Sequence, residues 1–78
     1  MTTRPQLEHE RIRRNRGLSL SDLATRLGFS VSYASRVERR LAPANLAYQR
    51  AFARALRARR EDVFDLDGWV KAGASHDA

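Results

Sequence analysis

Ser32, Arg36 and Arg39 are spaced so that a helix would bring them together. Advancing about 100° per residue from Val31 places all three on one side, flanked by Ser35 and Arg40, with Tyr33 at the edge. Ala34, Val37 and Leu41 fall on the opposite, inward side, and Glu38 leans toward them rather than toward the arginines. A surface of hydroxyls, an aromatic ring and guanidinium groups suits the major groove of a DNA duplex. Arginine can grip guanine O6 and N7 with two bonds, while hydroxyls serve bases or phosphates. A helix that is merely solvated commonly pairs its arginines with acids one turn away, and this side carries no acid. Catalytic alternatives find no residues to use. There is no cysteine, His9 and His76 stand far apart, and no Ser/His/Asp set or glycine-rich phosphate loop occurs. The expectation is a binding protein and not an enzyme, with no metal and no cofactor.

Charge points to the same class of partner. The 78 residues carry 15 basic and 9 acidic side chains, a net charge of +6, and Lys71 is the single lysine. Residues 11–60 hold thirteen arginines against Asp22 and Glu38, a local net charge of +11. Glu61, Asp62, Asp65 and Asp67 follow, free to pair with Arg57, Arg59 and Arg60 or to remain solvated. So basic a body implies a polyanion: nucleic acid first, an anionic membrane surface second. No apolar run approaches the roughly 20 residues that span a bilayer, and no signal-peptide core is present, so the expected location is cytoplasmic. A chain of this size buries only about 60% of its unfolded surface, enough for one small domain.

The elements that must position these residues read as five short helices. Pro5 can open the first, which runs to about Arg16 and stops at Gly17. Ser19 caps the second, whose Leu20, Leu23, Ala24 and Leu27 form one buried stripe, and Gly28 ends it as a left-handed residue. Ser30 caps the third, from about Val31 to Arg40, and Pro43 separates it from a fourth capped by Asn45. In that fourth helix Tyr48, Phe52, Ala55 and Leu56 face inward while Arg50, Arg54 and Arg57 face out. A short fifth turn spans about Glu61 to Phe64. Beyond Asp67 only Trp69 and Val70 stand out, no β-alternation appears, and disorder is expected from about Gly73.

The segment GLSLSDLATRLGFSVSYASRVERR, Gly17 to Arg40, resembles the helix-turn-helix of the Cro/CI-like (XRE) repressor family. The combination that carries the likeness is Ala24 at the helix crossing, Gly28 in a three-residue turn, and the apolar spacing around them. It implies an all-α, compact five-helix domain of the lambda-repressor type over residues 1–72, with the helix-turn-helix proper at about 20–40 and a disordered tail at 73–78. It implies base reading by Val31, Ser32, Tyr33 and Arg36, of which Val31 offers only apolar contact. Phosphate contacts are implied for Ser19, Ser21, Ser35, Arg39, Arg40 and the amides around Asn45. Arg13 and Glu38 match the family's structural ion pair. Three positions depart from the pattern: Leu20 where Gln is usual, Arg40 where Gly is usual, and His9 at a normally apolar site, which favours a partly buried packing role.

The implied function is a sequence-specific regulator of transcription, a repressor that occupies its operator on double-stranded DNA. One recognition helix touches too few base pairs to be selective, so a homodimer is expected, assembled on DNA if it is too weak alone. Val63, Phe64, Leu66, Trp69 and Val70 are the candidate dimer contacts, Trp69 being either such a contact or a lid on its own core. No second domain is expected to bind a small molecule. The competing reading is an antitoxin or protein-interaction module that also binds DNA and uses the Trp69 region for its partner.

Overall fold

The computed structural model describes residues 6–73, in which five helices pack around one core. They are α1 (Glu8–Asn15), α2 (Leu20–Leu27), α3 (Val31–Glu38), α4 (Leu46–Leu56) and α5 (Arg60–Val63). The expected start of α1 at Pro5 lies outside the described residues; α1 begins after Leu7, which gives it no side-chain cap. The three expected caps are present. Ser19 accepts from Asp22 N–H in a capping box, Ser30 from Tyr33 N–H, and Asn45 Oδ1 from Tyr48 N–H. No helix among the described residues is long and apolar enough to cross a membrane.

Four of the helices end alike. A left-handed residue follows each, and the amide after it returns to a carbonyl five residues back: Leu18 to Arg13, Phe29 to Ala24, Leu41 to Arg36 and Ala58 to Ala53. In α1 and α2 that residue is glycine, Gly17 and Gly28. In α3 and α4 it is Arg40 (φ 60°) and Arg57 (φ 53°), a conformation in which a Cβ is strained. The left-handed turn at Arg40 corrects the expected extent of α3, which stops at Glu38. It also corrects Leu41: the helical projection breaks at the turn, and Leu41 is 57% exposed instead of facing inward.

The α2–α3 crossing is built on small residues, Ala24 and Ala34, both buried. Leu23, Leu27 and Val37 surround them, and Tyr48, Phe52 and Leu56 bring in α4 from below. The core also holds a polar chain. Arg13 donates through Nε to Glu38 Oε2 (2.8 Å) and through Nη2 to Glu38 Oε1 (3.2 Å). His9 Nδ1 lies 3.2 Å from the same carboxylate, and His9 Nε2 lies 2.7 Å from the Tyr48 hydroxyl. With Nδ1 donating to Glu38, Nε2 accepts the Tyr48 proton and every member is satisfied. His9 is fully buried, its ring 4.6 Å from that of Phe52 and tilted against it, a connecting role beyond the partly buried packing expected of it.

The segment after α5 departs most from expectation. Val63, Phe64 and Val70 are buried core residues, so they are unavailable as dimer contacts. Asp65 Oδ1 accepts from Asp67 N–H and Trp69 N–H, and Gly68 at φ 91° closes the turn. A Cβ at Gly68 would meet Ala44 O at 2.4 Å, so glycine is obligatory there. The chain then runs back antiparallel, with bridges Phe64–Val70 and Leu7–Ala72. Glu8 N–H donates to Lys71 O and Gly73 N–H to Gln6 O. Gly73 is therefore tied into the fold; the rest of the tail expected to be disordered, 74–78, lies outside the described residues. Among the described residues, the acids of 61–67 form no ion pair with Arg57, Arg59 or Arg60.

Burial raises the Glu38 pKa, but the hydrogen bonds from His9 and Arg13 and the nearby positive charge outweigh it, leaving the carboxyl below its ordinary 4.5. A carboxyl lowered on folding stabilises fully above its unfolded value and loses that contribution as pH falls through the folded one. Melting temperature should thus hold above about pH 5 and fall below about pH 4.5, with a flatter acid limb in Glu38→Gln; scanning calorimetry across pH checks this. Tyr48→Phe, which leaves His9 Nε2 buried without a donor, should cost about 1–3 kcal/mol. Glu38→Ala, which strands Arg13, should cost about 3–5 kcal/mol in urea unfolding. Arg40→Gly should do the opposite: relief of the left-handed strain is worth about 1 kcal/mol net of glycine's added chain entropy, a rise of about 4–8 °C.

Candidate nucleic-acid interface

The site starts from the orientation of α3. Ala34 and Val37 are fully buried against α2, and Glu38 is held by Arg13 and His9 of α1. Those three anchors leave Val31, Ser32, Arg36 and Arg39 exposed, with Ser35 half-buried beside them. Among the described residues Arg36, Arg39 and Arg40 form no ion pair. Their guanidinium groups are available to an external acceptor.

Tyr33 is used differently from its expected base-reading role. Its hydroxyl donates to Pro43 O (3.1 Å) and accepts from Asn45 N–H (2.9 Å), and its ring packs near Phe29 and Tyr48. It fastens the loop between α3 and α4 to the first turn of α3, and its polar atom is spent on that loop. Asn45 is partly engaged in the same loop: its backbone amide bonds Tyr33 and its side-chain oxygen caps α4, which leaves Nδ2 as the group able to meet a phosphate. The next two amides, of Leu46 and Ala47, have no protein acceptor among the described residues, as expected at a helix N-terminus.

At the other expected backbone contact, Ser19 is engaged in its capping box, and Ser21 is exposed one residue into α2. The Asp22 carboxylate occupies that same first turn, so an approaching phosphate meets negative charge there. The first turn of α2 is consequently a less favourable place for an anion than the exposed guanidinium groups of Arg39 and Arg40. Leu20, which stands where glutamine is usual, is half-buried and lines a groove of about 670 Å³ with Leu7, Arg14, Arg39 and Arg40. The Arg13–Glu38 pair also lines this groove, so the basic rim of the site sits directly on the buried ion pair.

Sequence reasoning missed two contributors. The loop strut from Tyr33 needed the position of Asn45, twelve residues on, and no local pattern supplies it. The dependence of α3 on Tyr48 through His9 was equally hidden, although a histidine at an apolar helix position was a signal that a polar partner must exist.

No curated protein and no solved structure matches this chain. A family does: residues 10–66 match the helix-turn-helix domain. That span begins in α1 and ends beyond α5, enclosing α2, the Gly28 turn, α3 and the capped loop into α4. With an outward α3, arginines at its exposed end that form no ion pair among the described residues, and this match over most of the sequence, the chain belongs to the helix-turn-helix domain family of DNA-binding proteins.

Proposed function

We propose that the protein is a sequence-specific transcriptional regulator that acts as a repressor by occupying its operator, with no catalytic chemistry of its own. The observation that supports this reading best is the acid-free outer side of α3, where Arg36 and Arg39 are exposed and form no ion pair among the described residues. Arg36, one turn into the helix, reads a guanine in the major groove, aided by Ser32 and by Val31 against a thymine methyl. Arg39, Arg40 and the free amides of Leu46 and Ala47 hold phosphates on either side. Binding sites of useful selectivity require two half-sites about 34 Å apart, hence a homodimer formed on DNA. Leu66, fully exposed, and the exposed Leu41 and Leu46 are apolar residues left for such a contact, together with the half-buried Trp69. This role places the protein in the cytoplasm, with double-stranded DNA as its partner and no small-molecule ligand. An antitoxin-like module would have to bind its partner through this same reduced surface.

Two substitutions separate base reading from backbone contact. Arg39→Ala should weaken binding to every duplex and reduce the slope of log K against log salt by about 0.9. Arg36→Ala should relax preference at one base position by about 1–3 kcal/mol while leaving other positions unchanged. Site selection from a random duplex library, followed by salt-titrated anisotropy, reads both. Equal weakening of all sequences by both variants would make Arg36 a phosphate contact and leave only Ser32 and Val31 on α3 as readers.

A further inference from the structure

Most of the arginines lie away from α3. On α4, Arg50, Arg54 and Arg57 recur at intervals of four and three residues, form one exposed stripe, and make no ion pair among the described residues. α4 contains no acid, and its one side-chain amide, Gln49, donates to Ala44 O. Arg57 adds a second observation, since it occupies the left-handed position that α1 and α2 give to glycine. Only Arg40 among the described non-glycine residues shares that strain, and Arg40 follows α3, the helix proposed above to enter the groove. Strained residues kept where glycine would serve mark places where the side chain is needed.

The stripe runs away from the recognition helix. Tyr33 ties the N-cap Asn45 to α3, while Arg16 Nη2 donates to Leu56 O at the other end (2.8 Å). Along the axis, Arg50, Arg54 and Arg57 lie about 8, 14 and 18 Å from Asn45. We infer that the outer side of α4 is a second phosphate-gripping surface, by which a molecule seated on one duplex through α3 holds a second duplex segment. The inference rests on the proposal that α3 binds DNA. Guanidinium groups engage phosphate oxygens in pairs, as ammonium groups do not. Beside the stripe stand small or single apolar residues, Leu46, Ala47 and Ala53, which let a backbone approach closely but offer a bilayer little to bury. With its one amide engaged, the stripe offers only guanidinium groups, and these take phosphate oxygens of the backbone, so the grip is sequence-independent.

The test is capture of a fluorescent duplex by a bead-bound duplex of random sequence, with protein as the only bridge. The α4 variant Arg50→Ala/Arg54→Ala/Arg57→Gly retains helix-favouring or strain-free residues and is checked by thermal melt. It should bind a single free duplex within about twofold of wild type but capture the second at least roughly tenfold less, with the salt dependence of capture falling by up to about 2.7 in slope. The α3 variant Arg36→Ala/Arg39→Ala should weaken binding to the single duplex. Undiminished capture by the α4 variant, or duplex binding by wild type without capture, would overturn the second surface. Loss of single-duplex binding in the α4 variant equal to that in the α3 variant would also overturn it, by making one continuous footprint. Undiminished single-duplex binding by the α3 variant would remove the reading on which the inference rests, and the inference with it. Binding of labelled poly-glutamate in place of the second duplex, lost in the α4 variant, would assign the surface to an acidic protein instead.

Discussion

The carboxylate of Glu38 is the constraint on which the rest of the molecule depends. It is the buried acid of α3, and it collects donors from two residues of α1 before the chain of bonds passes through His9 to Tyr48 of α4. A hydrophobic contact between α1 and α3 could slide or rotate with little penalty, because apolar burial has no direction. A carboxylate with two-pronged Arg13 and His9 on it cannot, since a small rotation leaves a buried charge short of a partner. Fixing Glu38 on the inner side of α3 fixes Ser32, Arg36 and Arg39 on the outer side.

The same economy governs the loop and the C-terminal segment. A small chain has little apolar surface to bury, and this one adds directional bonds at its margins. The Tyr33 hydroxyl sets where α4 begins relative to α3. The run from Asp65 to Gly73 closes over the base of α4 and ties Ala44, Val63 and Gln6 through backbone bonds. Burial of the Tyr48 phenol and the Glu38 charge beside it push its pKa well above the ordinary value, so it stays a donor to His9. The recognition surface can then consist of residues that do no packing, because others hold the frame.

Charge is distributed to match. Glu8 pairs with Arg11 and Glu10 with Arg14 on α1, so that helix is largely neutralised at its surface. α3 and α4 have no acid on their outer sides, and their arginines form no ion pair among the described residues. The acids of 61–67 serve a turn or stay exposed near Leu66. The positive charge is thus concentrated on the outer sides of α3 and α4, and the acids beyond α5 are set apart from it in sequence.

The sequence by itself determined the features with local causes. Ser19, Ser30 and Asn45 start helices because a side-chain oxygen reaches an amide three residues on, and Gly17 and Gly28 end them because a left-handed backbone favours glycine. The acid-free side of α3 and the inward lean of Glu38 followed from helical periodicity alone. The Asp67-Gly68 dipeptide was a readable turn signal that the absence of alternation obscured. Only the tertiary structure decided that Tyr33 fastens a loop, that His9 meets Tyr48, that Leu41 is exposed and that Val63, Phe64 and Val70 are core. Each of these depends on which distant segment arrives opposite the residue, or on a backbone turn such as that at Arg40 that ends the helical projection. Local spacing carries no information about either.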